Sequence, residues 1–255
     1  MHYKTEGIVL RETEYRDSDK LLTVLTRDYG KITLKARGVR KNTSKLKSAC
    51  QLLSYAEFTY QDYGGYFTVT EAVCKEMFPE LRQDIEVISL AFYFSQVTEV
   101  IAQEDAPDPA LLSLLLNALY ALARLHKPQR LVKAAFELRL ACLAGYEPDL
   151  GGCAVCGSET PDRFNVTSGM LQCASCAGLD GLRMPISTPA LAAARYLVHC
   201  SEKRLFSFEL SEPALKELGG ITETYLMTHL ERSFSTLDLY KSLFYTDFSA
   251  ADKRI

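Results

Sequence analysis

Lys31-Ile-Thr-Leu-Lys-Ala-Arg37 alternates without a break: Ile32, Leu34 and Ala36 fall on one side, and Lys31, Thr33, Lys35 and Arg37 on the other. A period of two over this length is the mark of a β-strand with one buried face. Upstream, Glu6–Arg11 and Lys20–Thr26 are short apolar runs rich in β-branched residues, and Arg27-Asp28-Tyr29-Gly30 reads as a turn. Downstream, Leu53–Gln61 and Tyr66–Cys74 read as a fourth and fifth strand. Between them stands Asp62-Tyr63-Gly64-Gly65, whose glycine pair suits a tight hairpin turn. Five short strands with one long connection, between the third and the fourth, match an OB-type barrel over residues 1–78, and other small barrels as well.

After Pro79 the period becomes helical. Leu81, Ile85, Ile88, Phe92 and Val97 carry a largely buried helix, and Leu111–Leu125 and Leu131–Ala144 carry two more, the last stopped at Gly145. A hydroxyl cap before a proline, in Ser187-Thr188-Pro189, opens a fourth helix. Another follows Ser211-Glu212-Pro213 as far as about Phe234, and a short one covers Thr236–Phe244.

Cys153-Ala-Val-Cys156 and Cys173-Ala-Ser-Cys176 are two C-x-x-C knuckles at the spacing of a structural zinc site. Two knuckles supply four thiolates, a closed tetrahedral shell that leaves no position for a reacting water. One structural Zn2+ is therefore expected, ahead of a pair of disulfides or a redox dithiol. Cys50, Cys74, Cys142 and Cys200 stand singly in apolar surroundings and read as buried small hydrophobes.

The predicted organisation is α+β and multidomain. A five-stranded OB-type barrel (1–78) precedes an all-α domain (79–150 and 185–245). A four-cysteine zinc ribbon, or zinc finger (151–184), interrupts that domain, and a flexible tail covers 246–255. No apolar run is long enough for a membrane span, and the first residues carry no signal-peptide character, so a cytoplasmic protein without a membrane partner is expected.

Net charge is −3 over 255 residues, so a whole-protein field attracting nucleic acid is not expected. Any such binding must be local. From Lys31 to Lys47 every charged residue is basic: Lys31, Lys35, Arg37, Arg40, Lys41, Lys45 and Lys47. Gly38 offers a flexible start to the loop, and Asn42, Thr43 and Ser44 add donors suited to phosphate oxygens. A solvated loop is the usual fate of such a run. The absence of a single acid in an acidic chain weighs against that here, and Tyr55, Tyr60, Tyr63 and Tyr66 nearby offer stacking faces.

Enzyme signatures are missing. There is no phosphate-binding G-x-x-x-x-G-K-[ST] and no G-x-S-x-G elbow. His229-Leu230-Glu231 has the H-x-E form of zinc deaminases but follows the cysteines, and it reads as helix surface. Glu12, Glu14, Asp17 and Asp19 cluster near the first turn, where an exposed turn is favoured over a magnesium site. No catalytic residue is expected. A nucleic-acid-processing enzyme that uses the ribbon as a clamp, and an adaptor that binds only protein, are the alternatives.

The chain resembles the bacterial RecO family of recombination mediators. Gly7-Ile-Val-Leu10 with Asp19-Lys-Leu-Leu22, Ala36-Arg-Gly-Val-Arg-Lys41, Phe136-Glu-Leu-Arg-Leu140 with Gly145-Tyr-Glu-Pro-Asp-Leu150, and Cys153-Ala-Val-Cys156-Gly157 carry the likeness. The presence of all four cysteines places it with the zinc-bearing members. The resemblance implies an OB domain and a helical domain with a zinc finger. It implies a DNA repair role in RecF-pathway recombination, with binding to single- and double-stranded DNA and annealing of complementary strands. The partners implied are RecR, the C-terminal tail of the single-strand binding protein SSB and, indirectly, RecA, with association with the nucleoid during repair. On this reading Lys35, Arg37, Arg40 and Lys41 contact phosphates, and Lys31, Lys45 and Lys47 extend the track.

Overall fold

The computed structural model describes residues 2–176, 178 and 180–251. Its N-terminal part is a closed barrel of five strands: β1 (His2–Tyr15), β2 (Asp19–Thr26), β3 (Gly30–Ala36), β4 (Tyr55–Tyr63) and β5 (Tyr66–Glu76). The order around the barrel is β1-β2-β3-β5-β4, with a parallel β3–β5 contact and antiparallel pairs elsewhere. This is the OB arrangement.

β1 is longer than its apolar run predicts because it serves two neighbours. Its first half pairs with β4, from His2↔Gln61 to Ile8↔Tyr55, and its second half with β2, down to Tyr15↔Asp19. Leu10 is an extra residue between Val9 and Arg11 in the β1–β2 register. Such a bulge sharpens the bend a strand needs to close a barrel. Gly7 sits where the strands crowd: a Cβ there would stand 2.7 Å from the Leu25 carbonyl oxygen.

The alternation read from Lys31–Arg37 holds. Ile32, Leu34 and Ala36 are buried, and they meet Val9, Leu22, Val24, Phe58 and Tyr60 in the barrel core. Burying a side chain such as Phe58 contributes about 1.5–3 kcal/mol. At the β4–β5 turn Gly64 and Gly65 both have positive φ (61° and 84°), which glycine adopts without strain, and the Gly65 N–H donates to Asp62 Oδ1 at 2.9 Å.

Helices follow: α1 (Ile85–Ile101), α2 (Pro109–Ala123), α3 (Gln129–Leu143), α4 (Thr188–His199), α5 (Glu212–Leu230) and α6 (Ser235–Ala251). The Asp84 carboxylate caps α1 by accepting from Glu86 and Val87 N–H groups. Ser187 precedes α4 as expected, but its side chain does not cap the helix. Its hydroxyl donates to Glu217 of α5 instead. Residues 252–255 of the expected tail lie outside the described residues. No helix among the described residues is long and apolar enough to cross a membrane.

Contacts divide the chain into two compact units. One runs to Leu119 and resumes at Phe234; the other is Tyr120–Ser233. In the first, α1 packs on α6 and touches β1, where the Ser95 hydroxyl donates to the Leu10 carbonyl at 2.8 Å. In the second, α3 packs on α5 and α4, and a small sheet of order β6-β8-β7-β9 is inserted: β6 (Asp149–Cys153), β7 (Arg163–Asn165), β8 (Met170–Gln172) and β9 (Arg183–Pro185).

Candidate nucleic-acid interface and metal centre

The connection from β3 to β4, residues 37–54, is amphipathic in a way no regular period reveals. Val39, Ala49, Cys50 and Leu53 are buried, and Leu46 packs against the same barrel core. Burial raises the Cys50 thiol to about 12. The loop is also stitched by its backbone. Arg40 N–H donates to Ser18 O at 3.0 Å, Cys50 N–H to Leu46 O at 3.1 Å, and the Ser54 hydroxyl to Ser48 O at 3.0 Å. Gly38 does not start the loop flexibly, since its N–H is held by Asp19 Oδ1 at 2.8 Å. With its apolar side chains and Ser54 anchored inward, the loop presents most of its polar side chains to solvent.

The seven basic residues then divide. Lys31 Nζ donates to the Glu99 carbonyl at 2.9 Å, which ties β3 to α1. Lys35 is 12% exposed, with Nζ 3.6 Å from Asp19 Oδ2 and 4.8 Å from the Tyr15 ring centroid. Arg40 is exposed and reaches Glu14, itself exposed, at 3.2 Å. Arg37, Lys41, Lys45 and Lys47 are exposed, and no carboxylate partner appears for them among the described residues. Arg37 lies over the Tyr63 ring, 5.6 Å from its centroid.

Three of the four acidic residues near the first turn are consumed by the same pairing, while Asp17 is exposed and meets Arg40 only through its backbone carbonyl, at 3.4 Å. Glu12 binds Lys20 at 2.9 Å, Glu14 binds Arg40, and Asp19 holds Gly38 and Lys35. The Gly38 N–H, with Lys35 behind it, keeps the Asp19 carboxyl below its ordinary range. Among the described residues the four cysteines alone form a cluster suited to a metal ion.

Of the four tyrosines singled out in the sequence, two are closed off. Tyr60 is 1% exposed and stacks on Tyr3 with centroids 5.4 Å apart, and the Tyr55 hydroxyl donates to Glu6. Tyr63 and Tyr66 are exposed.

In the second unit, β6 ends at Cys153 and the second knuckle begins just past β8, which lies beside β6. The sheet thus brings the two knuckles together. The four Sγ atoms lie within 4.8 Å of one another, and Cys156 and Cys173 Sγ are 3.8 Å apart. A tetrahedral zinc with bonds of about 2.3 Å has S···S edges of about 3.8 Å, so the donor set fits such an ion. All eight cysteines are free thiols. Backbone N–H groups of Cys156, Val155 and Cys173 point at Cys153 Sγ and lower that thiol to about 6. Cys176, hydrogen-bonded to its neighbours' sulfurs, is raised to about 12. One thiolate discourages the next until a cation offsets the accumulated charge.

Two supports of this centre carry no sequence signal. Arg195 of α4 donates to the carbonyls of Leu150 at 2.8 Å and Gly151 at 3.1 Å, which anchors the strand leading into the first knuckle. Buried Gln172 donates to the Cys176 carbonyl at 2.9 Å and braces the second. Their partners are backbone carbonyls, which no residue pattern marks. His229 is not simple helix surface: it is half-buried, stacked on Tyr146 at 4.7 Å with Tyr225 edge-on at 4.4 Å. Of the single cysteines, Cys50 is buried as expected, whereas Cys74, Cys142 and Cys200 are half-buried.

Comparison with known proteins gives a consistent result. The family described as Recombination protein O N terminal matches residues 1–78, and that described as Recombination protein O C terminal matches residues 82–238. A DNA repair protein RecO of Acetivibrio thermocellus is 34% identical over 246 residues, 95% of this chain and 98% of that protein. Proteins of the same name from Alkaliphilus metalliredigens and Desulforudis audaxviator are 30% and 31% identical. They cover 95% and 94% of this chain, and 100% and 97% of their own lengths.

Proposed function

The chain belongs to the RecO family of DNA repair proteins, and from that premise we propose that it is a recombination mediator. It binds single- and double-stranded DNA, anneals complementary strands and, with RecR, helps to load RecA on strands coated by SSB. The observation that carries this reading is the anchored loop with Arg37, Lys41, Lys45 and Lys47 turned outward. Cations on a fixed base neutralise phosphates without regard to sequence and release counterions. Two strands screened in this way approach each other with their base edges free to pair. No covalent step is required. Lys31 and Lys35 act mainly by holding strand and loop in place, whereas Arg40, exposed and paired only with the exposed Glu14, joins Arg37, Lys41, Lys45 and Lys47 on the phosphate track.

Zn2+ is the ion proposed for Cys153, Cys156, Cys173 and Cys176. With four thiolates bound it supplies a structural crosslink and no reactive water. The SSB tail is proposed to dock on the helical part of the chain, and the protein to work in the cytoplasm at the nucleoid.

The test is annealing of complementary strands coated with SSB. The wild type is expected to accelerate it, and a folded Arg37→Glu/Lys41→Glu variant to lose the acceleration. No acceleration by the wild type overturns the mediator reading.

A further inference from the structure

We infer that Tyr63 and Tyr66, flanking the β4–β5 turn, stack unpaired bases, so that this hairpin makes the protein prefer a single strand to a duplex. The inference rests on the nucleic-acid reading above and adds the base-contacting residues. Tyr63 is 53% exposed and Tyr66 68%, while their ring neighbours in sequence, Tyr60 and Phe67, are turned into an aromatic cluster with Tyr3. The barrel therefore has aromatic side chains enough for its core and leaves these two outside it.

Their placement is fixed by the backbone. Tyr63 and Tyr66 are partners across a two-residue turn. Directly opposed residues of an antiparallel pair project from the same face, about 5 Å apart at Cβ. The turn itself is bare: nothing lies within 4 Å of where a Cβ on Gly64 or Gly65 would stand, so a flat ring can approach without obstruction. Arg37 places its guanidinium over Tyr63 at 5.6 Å, within cation–π range. Arg37 thus covers one face of the Tyr63 ring and sets a positive charge at the stacking site, where it can meet a phosphate of the bound strand. The carboxylate next to Tyr63 in sequence, Asp62, accepts the Gly65 N–H.

Lysines and arginines meet the phosphates of one strand or of two alike, and so give no preference between them. Ring stacking does, because bases inside a duplex have no free face. It also suits annealing: it uses the faces of the bases and leaves their pairing edges open.

The chain contains no tryptophan, so Tyr66→Trp introduces a single indole as a reporter. An oligothymidylate is expected to quench its fluorescence, and a blunt duplex of equal charge to leave it unchanged. Tyr63→Ala/Tyr66→Ala is expected to lose at least about tenfold in affinity for the oligothymidylate and nothing for the duplex, while Tyr63→Phe/Tyr66→Phe retains both. Wild-type affinity in the alanine variant, an equal loss on both DNAs, or an indole blind to a single strand that the protein binds overturns the inference. If the wild type binds neither DNA, the nucleic-acid reading itself falls first.

Discussion

The Asp19 carboxylate accepts the Gly38 N–H at 2.8 Å, so the first residue of β2 clamps the start of the basic loop. Lys35 Nζ stands 3.6 Å from the other carboxylate oxygen. One acid thereby fixes the backbone from which Arg37 and Lys41 project. Asp19→Ala is expected to lose about 1 kcal/mol of stability near neutral pH, after allowance for solvent screening. The carboxyl is held below its ordinary value of 3.8 in the fold. Its contribution is therefore complete above that value and is lost as pH falls through the lower, folded one. Urea denaturation of wild type and variant should differ at pH 7 and converge well below pH 4. A constant gap at all pH values would mean that the carboxylate's charge is not what matters.

The open and the captured cations should separate in a salt titration. Arg37→Glu/Lys41→Glu is expected to flatten the dependence of log affinity on log salt by about 2, roughly one unit per phosphate contact. Lys35→Ala should leave that slope nearly unchanged and lower stability instead, because its ammonium is engaged with Asp19 and the Tyr15 ring. Equal slopes in both variants would remove the distinction drawn between them.

Metal should act on one unit of the chain. Cys153→Ser/Cys156→Ser is expected to lose about one equivalent of bound zinc by elemental analysis and to melt earlier, since binding a structural zinc adds folding free energy. Hydrogen exchange should quicken across residues 149–185, where the sheet is held by the knuckles and by Arg195, and stay unchanged in the barrel. Zinc retained at wild-type stoichiometry in the serine variant would assign the ion to other ligands.

Lys133 of α3 is almost fully buried. Its Nζ lies 2.8 Å from Glu137, itself 0% exposed, and 2.7 Å from Glu223 of α5. The Thr222 hydroxyl donates to the same Glu137 carboxylate at 2.9 Å. Removing one member strands a buried charge, so Lys133→Met is expected to cost about 3–5 kcal/mol. Adding Glu137→Leu should restore most of it. A double variant no more stable than the single one would show that the site cannot repack as an apolar contact between α3 and α5.

Much of the architecture was legible in the chain because it is written in local periods. Ile32, Leu34 and Ala36 announce a strand, Gly64-Gly65 a two-residue turn, and the two C-x-x-C knuckles a common ligand point. Each signal depends on neighbours a few residues away, where backbone geometry dictates which side chains share a face. The likeness to the RecO family reads from the same local segments.

The tertiary structure alone decided which residues are available. Lys31 and Lys41 look alike in the sequence, yet one is spent on the Glu99 carbonyl of α1 and the other stands in solvent. Tyr60 and Tyr63 lie in the same strand, yet only the second is open. The bulge at Leu10, the Asp19–Gly38 clamp, and the bracing of the knuckles by Arg195 and Gln172 have the same character. Each joins groups that folding brings together, and several of the partners are backbone atoms that every residue possesses. Period and composition determine where a side chain can point; contacts between distant parts of the chain determine whether anything is already there.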